Sequence, residues 1–164
     1  MGEKTPVAEG ERITYKGFFA IKDLYNVIEE WLGENWYDRQ EMSHKESIHE
    51  KGKTIDIKMR PWKTVTDYMK YRMHLRIHLL DVKEVQKEKK KYDEGTVEFT
   101  VDAFLETDHE GRWQSTGWFL LLHFFYDRYV YSSTVQKYKK GLRDDVNSLK
   151  NAVQSYFNFS KRTK

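Results

Sequence analysis

Between residues 69 and 79 apolar and polar positions alternate without a fault. Met69, Tyr71, Met73, Leu75, Ile77 and Leu79 take the odd positions, and Lys70, Arg72, His74, Arg76 and His78 take the even ones. On a helix this pattern would scatter apolar groups all round, whereas on a strand it gives one apolar and one charged face. The pattern therefore predicts a strand. It also answers a question raised by His74 and His78, whose i, i+4 spacing would suit a metal on a helix. On a strand the two rings stand roughly 13 Å apart at ~3.3 Å per residue. Bonds of about 2 Å cannot join both to one zinc ion.

The same period recurs on both sides. Arg12–Phe18 reads as a first strand, with Ile13, Tyr15 and Gly17 on one side. The segment from Asp38 is a polar strand on which Met42, His44 and Ile48 share a face. It turns at a Lys-Gly pair into a strand carrying Ile55, Ile57 and Met59, which Pro61 is expected to interrupt before a loop, WKTVTD. KEVQKEKKKYDEG reads as a charged hairpin tip. A returning strand then holds Val97, Phe99, Val101, Ala103 and Leu105 on one face and Glu98, Thr100 and Asp102 on the other. If it pairs with residues 69–79, its acids come beside the Arg/His row as cross-strand ion pairs.

A period near 3.6 marks the helices. Ile21, Leu24, Tyr25, Ile28, Trp31 and Leu32 form one face of a first helix, for which Gly33 is the expected stop. DHEG at 108–111 is a turn. Ser115 or Thr116 can cap a helix starting near Gly117, and WFLLLHFFYDRYVY is apolar almost all round, which suits a buried helix. After Ser132–Thr134, Val135, Tyr138, Leu142, Val146, Leu149, Val153 and Tyr156 step by three or four along about seven helical turns.

This predicts an α+β domain over residues 11–158, preceded by a flexible leader (1–10) and followed by a basic tail (159–164). In element order it resembles the helix-grip fold of the START-like (SRPBCC) superfamily, which includes the Bet v 1 allergens and polyketide cyclases. RITYKGF, IKDLYNVIEEWLG, the alternating strands and VQKYKKGLRDDVNSLKNAVQSYF carry the resemblance. It implies a curved antiparallel sheet wrapped around a long C-terminal helix. The apolar segment GWFLLLHFFYDRYVY is an addition to that pattern, an extra helix that would cap or fill the space between sheet and final helix. In general look, through no motif, the chain is also similar to small archaeal proteins.

Composition narrows the options. At 164 residues the chain fits one domain, and 25 aromatics (11 Tyr, 9 Phe, 5 Trp) make it globular despite a charged fraction of 34%. With no cysteine, disulfides, zinc thiolates and cysteine nucleophiles are excluded, and a cytoplasmic setting fits. No secretion signal stands at the N-terminus, and the apolar part of Trp113–Tyr126 is far short of the ~20 residues of a spanning helix. The net charge of +3 is concentrated in Lys87–Lys91, Lys137–Lys140 and the tail, too mild a bias for a dedicated duplex-DNA binder.

Two functional readings follow. The first is non-catalytic binding of an apolar small molecule or lipid between sheet and helix, with Trp31, Met59, Tyr71, Met73, Phe99, Trp113, Trp118 and Tyr138 as lining. The alternative is a nucleic-acid or ribosome contact through Lys70, Arg72 and Arg76 on the sheet and Lys87, Lys89, Lys90 and Lys91 at the hairpin. A homo-oligomer contact through Trp118–Tyr126 is a further expectation. For catalysis the sequence offers no glycine-rich phosphate loop, no Gly-x-Ser-x-Gly and no His-Glu-x-x-His. His44 and His123 are its conceivable acid–base groups. No catalytic residue, metal ligand or cofactor is assigned.

Overall fold

The computed structural model describes residues 3–67, 69–107 and 132–162. The expected turn at 108–111, the apolar helix from residue 117, and Trp113, Trp118, His123 and the Trp118–Tyr126 contact lie outside the described residues. Among the described residues five strands and two helices follow one another: β1 (Glu3–Phe19), α1 (Ile21–Glu34), β2 (Asp38–His49), β3 (Gly52–Thr66), β4 (Met69–Lys87), β5 (Lys90–Thr107) and α2 (Ser132–Arg162). The strands form a single antiparallel sheet in the order β1-β5-β4-β3-β2. The fold is thus the expected α+β arrangement of a curved antiparallel sheet with a long C-terminal helix. No helix among the described residues is long and apolar enough to cross a membrane.

The alternation places the sheet's inner face. Met73, Leu75, Ile77 and Leu79 of β4 stand in register with Ala103, Val101, Phe99 and Val97 of β5, and all eight are buried. On the other face His74 lies directly across from Asp102 and His78 from Glu98, so acids do alternate with the basic row. The apolar stripe of α2 packs on the inner face through Leu142, Val146, Leu149, Val153 and Phe157, all buried. Each such side chain contributes about 1.5–3 kcal/mol on leaving water.

The direction of α2 follows from its partners. Arg143 donates to the Val7 carbonyl, Lys150 pairs with Glu11 at 2.6 Å, and Phe157 stacks on Tyr15 at 4.5 Å. Both chains advance together, so α2 runs alongside β1 in the same sense and covers that edge of the sheet. Because β1 and β2 are opposite edges, α1 has to cross the inner face to join them. It does so with Leu24, Ile28, Trp31 and Leu32 buried, and it is fastened to α2 by Trp31 Nε1 donating to Ser148 Oγ at 3.0 Å.

Several boundaries differ from the sequence reading, each for a local reason. The expected leader is strand from Glu3. Val7 and Ala8 are buried, Pro6 sits on an edge strand where its missing N–H costs no ladder bond, and the Gly10 N–H bonds Asp102 at 2.6 Å. Four residues of the expected tail, 159–162, belong to α2. Pro61 leaves a gap in the β3–β4 ladder without changing its register, which resumes at Trp62↔Arg72, so the expected loop is strand. Gly33 does not stop α1. The Trp36 and Tyr37 amides donate back to the carbonyls of Gly33 and Leu32, which makes a Schellman cap with exposed Trp36 (φ 62) at the left-handed position usually held by glycine. The β4–β5 hairpin is strand up to Lys87 and from Lys90. Its two-residue turn puts Glu88 and Lys89 at positive φ, where Asn-Gly is the usual signal.

One irregularity shifts the phase of β4. An extra residue between Leu80 and Lys83, with Asp81 at φ 53, turns Val82 inward where an odd position would have been expected. Two glycines make room for this bulge. A Cβ on Gly95 would lie 2.8 Å from the Leu80 carbonyl oxygen, and one on Gly52 would lie 2.8 Å from the Asp81 carbonyl carbon. Gly95→Ala is therefore expected to lower stability by about 1–3 kcal/mol, read as a lower urea midpoint at unchanged slope. An unchanged midpoint would mean that the bulge yields freely.

Candidate functional site

The two edges of the sheet are treated differently. The β1 edge is covered by α2, while among the described residues the inner face beside β2 has only α1 above it. Met42, His44 and Glu46 lie in register with Met59, Ile57 and Ile55 and so share the inner face, yet Met42 is 60% exposed and the rest of β2 is largely in solvent. A half-open cleft of about 630 Å³ runs along this side. Ile21, Lys22 and Tyr25 of α1 form one wall, Met42, His44 and Glu46 of β2 another, and Ile55, Ile57 and Val82 part of the floor, with Lys53, Glu84 and Asp93 at one end. A second cleft of about 290 Å³ continues it past Leu32, Met59 and Pro61 and is closed by Glu29, Arg39 and Arg60. Tyr25 and Met42 line both and form the waist between them, with the Tyr25 hydroxyl 3.2 Å from Met42 Sδ.

Polar groups stand at the ends of the clefts and, through His44 and Glu46, along the β2 wall. Arg39 pairs with Glu29, and Lys53 with Glu46 at 3.4 Å. Burial raises the pKa of the Tyr25 phenol, and a hydrogen bond with Glu29 raises it further. Asp93 accepts from the Ile21 amide at 3.3 Å at the start of α1. Burial nevertheless raises its pKa, with the charge of Glu84 directly across the strand pair acting the same way. The cleft therefore offers an apolar floor with charged rims.

The residues expected to line a pocket fall into two groups. Trp31, Tyr71, Met73 and Phe99 are core side chains, and Tyr138 is packed against that core. Tyr71 reaches from β4 into α2, donating to the Tyr138 carbonyl at 2.8 Å and lying against Gly141. Met59 is buried too, but borders the smaller cleft. The cleft's other apolar residues were legible only as faces: Ile21 and Tyr25 belong to the α1 stripe, and Met42 to an otherwise polar strand.

The basic residues also divide. On the outer face Lys70 lies over the Trp62 ring at 4.8 Å, Arg72 is paired with the buried Glu106, and exposed Arg76 stands opposite Thr100. Lys87 lies seventeen positions beyond Lys70 and eleven beyond Arg76 on the same strand, up to about 56 and about 36 Å away at ~3.3 Å per residue. The sheet lysine and arginines and the hairpin lysines are thus two separate surfaces. His74, against Phe104 at 5.1 Å, has its pKa lowered by partial burial and then by the charge of Arg60.

The described residues form an α+β arrangement of curved antiparallel sheet and long C-terminal helix that is compatible with a helix-grip fold, with a half-open cleft beside β2. Compared with protein-family models, curated proteins and solved structures, the chain shows no match.

Three tyrosines join the layers of the fold through their hydroxyls. Tyr37 donates to Asp145 at 2.7 Å, Tyr71 to the Tyr138 carbonyl, and Tyr156 to the Ala20 carbonyl at 3.1 Å. Burial raises all three pKa values, Tyr71 to about 12 and Tyr37 further, with Asp145 adding to the effect. The folded state thus favours the neutral phenols. Their contribution is complete below the ordinary value of about 10 and is lost as pH rises from there through the folded-state values. The melting temperature should be level to about pH 9 and fall between about pH 10 and 12, with a shallower fall in Tyr71→Phe. A melting temperature that stays level to about pH 11 would contradict these placements.

Proposed function

We propose that the chain is a non-catalytic binding protein of START-like architecture that takes an apolar small molecule or lipid in the cleft between α1 and the β2–β3 edge. The observation that carries the proposal is the cleft of about 630 Å³ floored by Ile55, Ile57 and Val82. Its volume falls within the ~300–1,000 Å³ typical of ligand pockets. Shape and chemistry favour a molecule with a long apolar body. The apolar floor continues under the Tyr25–Met42 waist, and the charged groups stand where a polar end would meet water. Tyr25 and Met42 are suited to admit such a body, since a thioether repacks at little cost.

The binding site differs from that of a central sheet–helix cavity. The space between α2 and the sheet is occupied by Phe99, Met73, Leu149, Val153 and Phe157. The place left for a ligand is the region that α2 does not cover.

Titration with the fluorescent fatty acid 11-(dansylamino)undecanoic acid tests this reading. A saturable rise in dansyl emission is expected, together with a higher melting temperature, because a ligand that binds only the native state stabilises it. Met42→Glu puts a charge at the waist on an exposed edge strand. It should weaken binding about tenfold or more, about 1.4 kcal/mol, with little change in the melting temperature of the free protein. The absence of saturable binding, or equal binding by Met42→Glu, would overturn the proposal.

A further inference from the structure

A different cleft, of about 340 Å³, lies where the β4–β5 hairpin, the β1–α1 corner and the last turns of α2 meet. Its walls include Phe18, Tyr92, Tyr156 and Phe159, and Lys87 and Lys90 stand at its mouth. Three features set it apart from ordinary surface. Lys87 and Lys90 are directly opposite each other in the strand register, a like-charge pair that destabilises a hairpin. The turn between them holds Glu88 and Lys89 at positive φ, a cost that Asn-Gly would avoid. Phe159 is 71% exposed on the adjoining helix face.

We infer that this cleft binds single-stranded nucleic acid, with phosphates held between the hairpin lysines and an unpaired base stacked on the ring of Phe159. Charge complementarity selects the occupant. Lys87, Lys89, Lys90 and Lys91 crowd the tip, and Lys161 and Arg162 close α2 beside it, against Asp23 and Glu88. Lys87 and Lys90 both line the cleft, Lys87 with its Nζ over the Phe18 ring at 5.7 Å, so a phosphate there would meet two ammonium groups and offset their mutual repulsion. Exposed rings beside a basic track are what unstacked bases require. A duplex would hide its base faces from Phe159. A phosphate site there also explains why this hairpin keeps a repulsive pair and an unfavourable turn, since both hold the lysines at a projecting tip. The inference is independent of the apolar-ligand reading, because it uses the hairpin and the end of α2 rather than the β2 edge.

Fluorescence anisotropy with a labelled oligouridylate of about 12 nucleotides, within the ~4–16 that one such surface covers, tests it. Roughly three phosphate contacts predict a loss of about 18-fold in affinity between about 50 and 200 mM salt. Lys87→Ala/Lys90→Ala should bind about tenfold more weakly or worse with little change in melting temperature, since relief of the repulsive pair offsets loss of the Lys87–Phe18 contact. Phe159→Ala should lose at least about fivefold, from base stacking worth ~1–3 kcal/mol. Arg76→Ala on the outer face, and Met42→Glu in the other cleft, should leave binding unchanged. Four results would overturn the inference: no salt-dependent binding, a loss in Arg76→Ala equal to that of the hairpin variant, full displacement by uridine monophosphate, or capture by phosphatidylserine vesicles without oligonucleotide binding.

Discussion

Everything else in this structure depends on where α2 lies. Its stripe of Leu142, Val146, Leu149, Val153 and Phe157 has to leave water, and the sheet's inner face is the surface available to it. Contacts at Val7, Glu11 and Tyr15 draw it to the β1 side, so that the Phe157 ring lies on Tyr15 and Lys150 holds Glu11. The Glu11 carboxyl is correspondingly held below its usual pKa by its hydrogen bond with Lys150 and by that residue's charge. One edge strand is thereby covered by α2, and the other is not. The cleft beside β2 follows from this asymmetry, because among the described residues α1 alone crosses the rest of the inner face.

The same asymmetry accounts for the character of β2. As an edge strand with no further strand beside it among the described residues, it carries Lys45 and Glu46, which discourage pairing with another chain. Met42 and Ile48 (76% exposed) are its departures from that polar pattern. Met42 lines both clefts, as half of the waist with Tyr25. Ile48 lies at the far end of β2, against the Glu50–Lys51 turn and Asp81.

The fold was legible where one interaction dominates a long segment. Met69–Leu79 alternates because a single face is buried along its length, and α2 steps by three and four for the same reason. It was illegible where a local exception is decided by distant residues. Nothing near Asp81 signals a bulge; the room comes from Gly52 and Gly95 on the neighbouring strands. Pro61 looks like a terminator, yet the strands on both sides of β3 carry the ladder past it. Gly33 looks like a cap, but the cap forms at Trp36 because Tyr37 has to fold back onto Leu32 and into the core. The site was harder still. An inward-facing residue on a strand is core or lining according to what lies above it. Periodicity reveals the face and not the cover. Tyr71, Met73 and Phe99 lie under α2, while Ile55 and Ile57 border a cleft.

Hydrogen exchange followed by mass spectrometry tests the central claim, that α2 seals one side of the sheet and leaves the other uncovered. Peptides from residues 71–79, 97–105 and 142–157 should exchange only through global opening, while those from 42–49 should exchange through small local openings, orders of magnitude faster. Equal, slow exchange in 42–49 would mean that the β2 edge is covered after all, and the account of the cleft would fail.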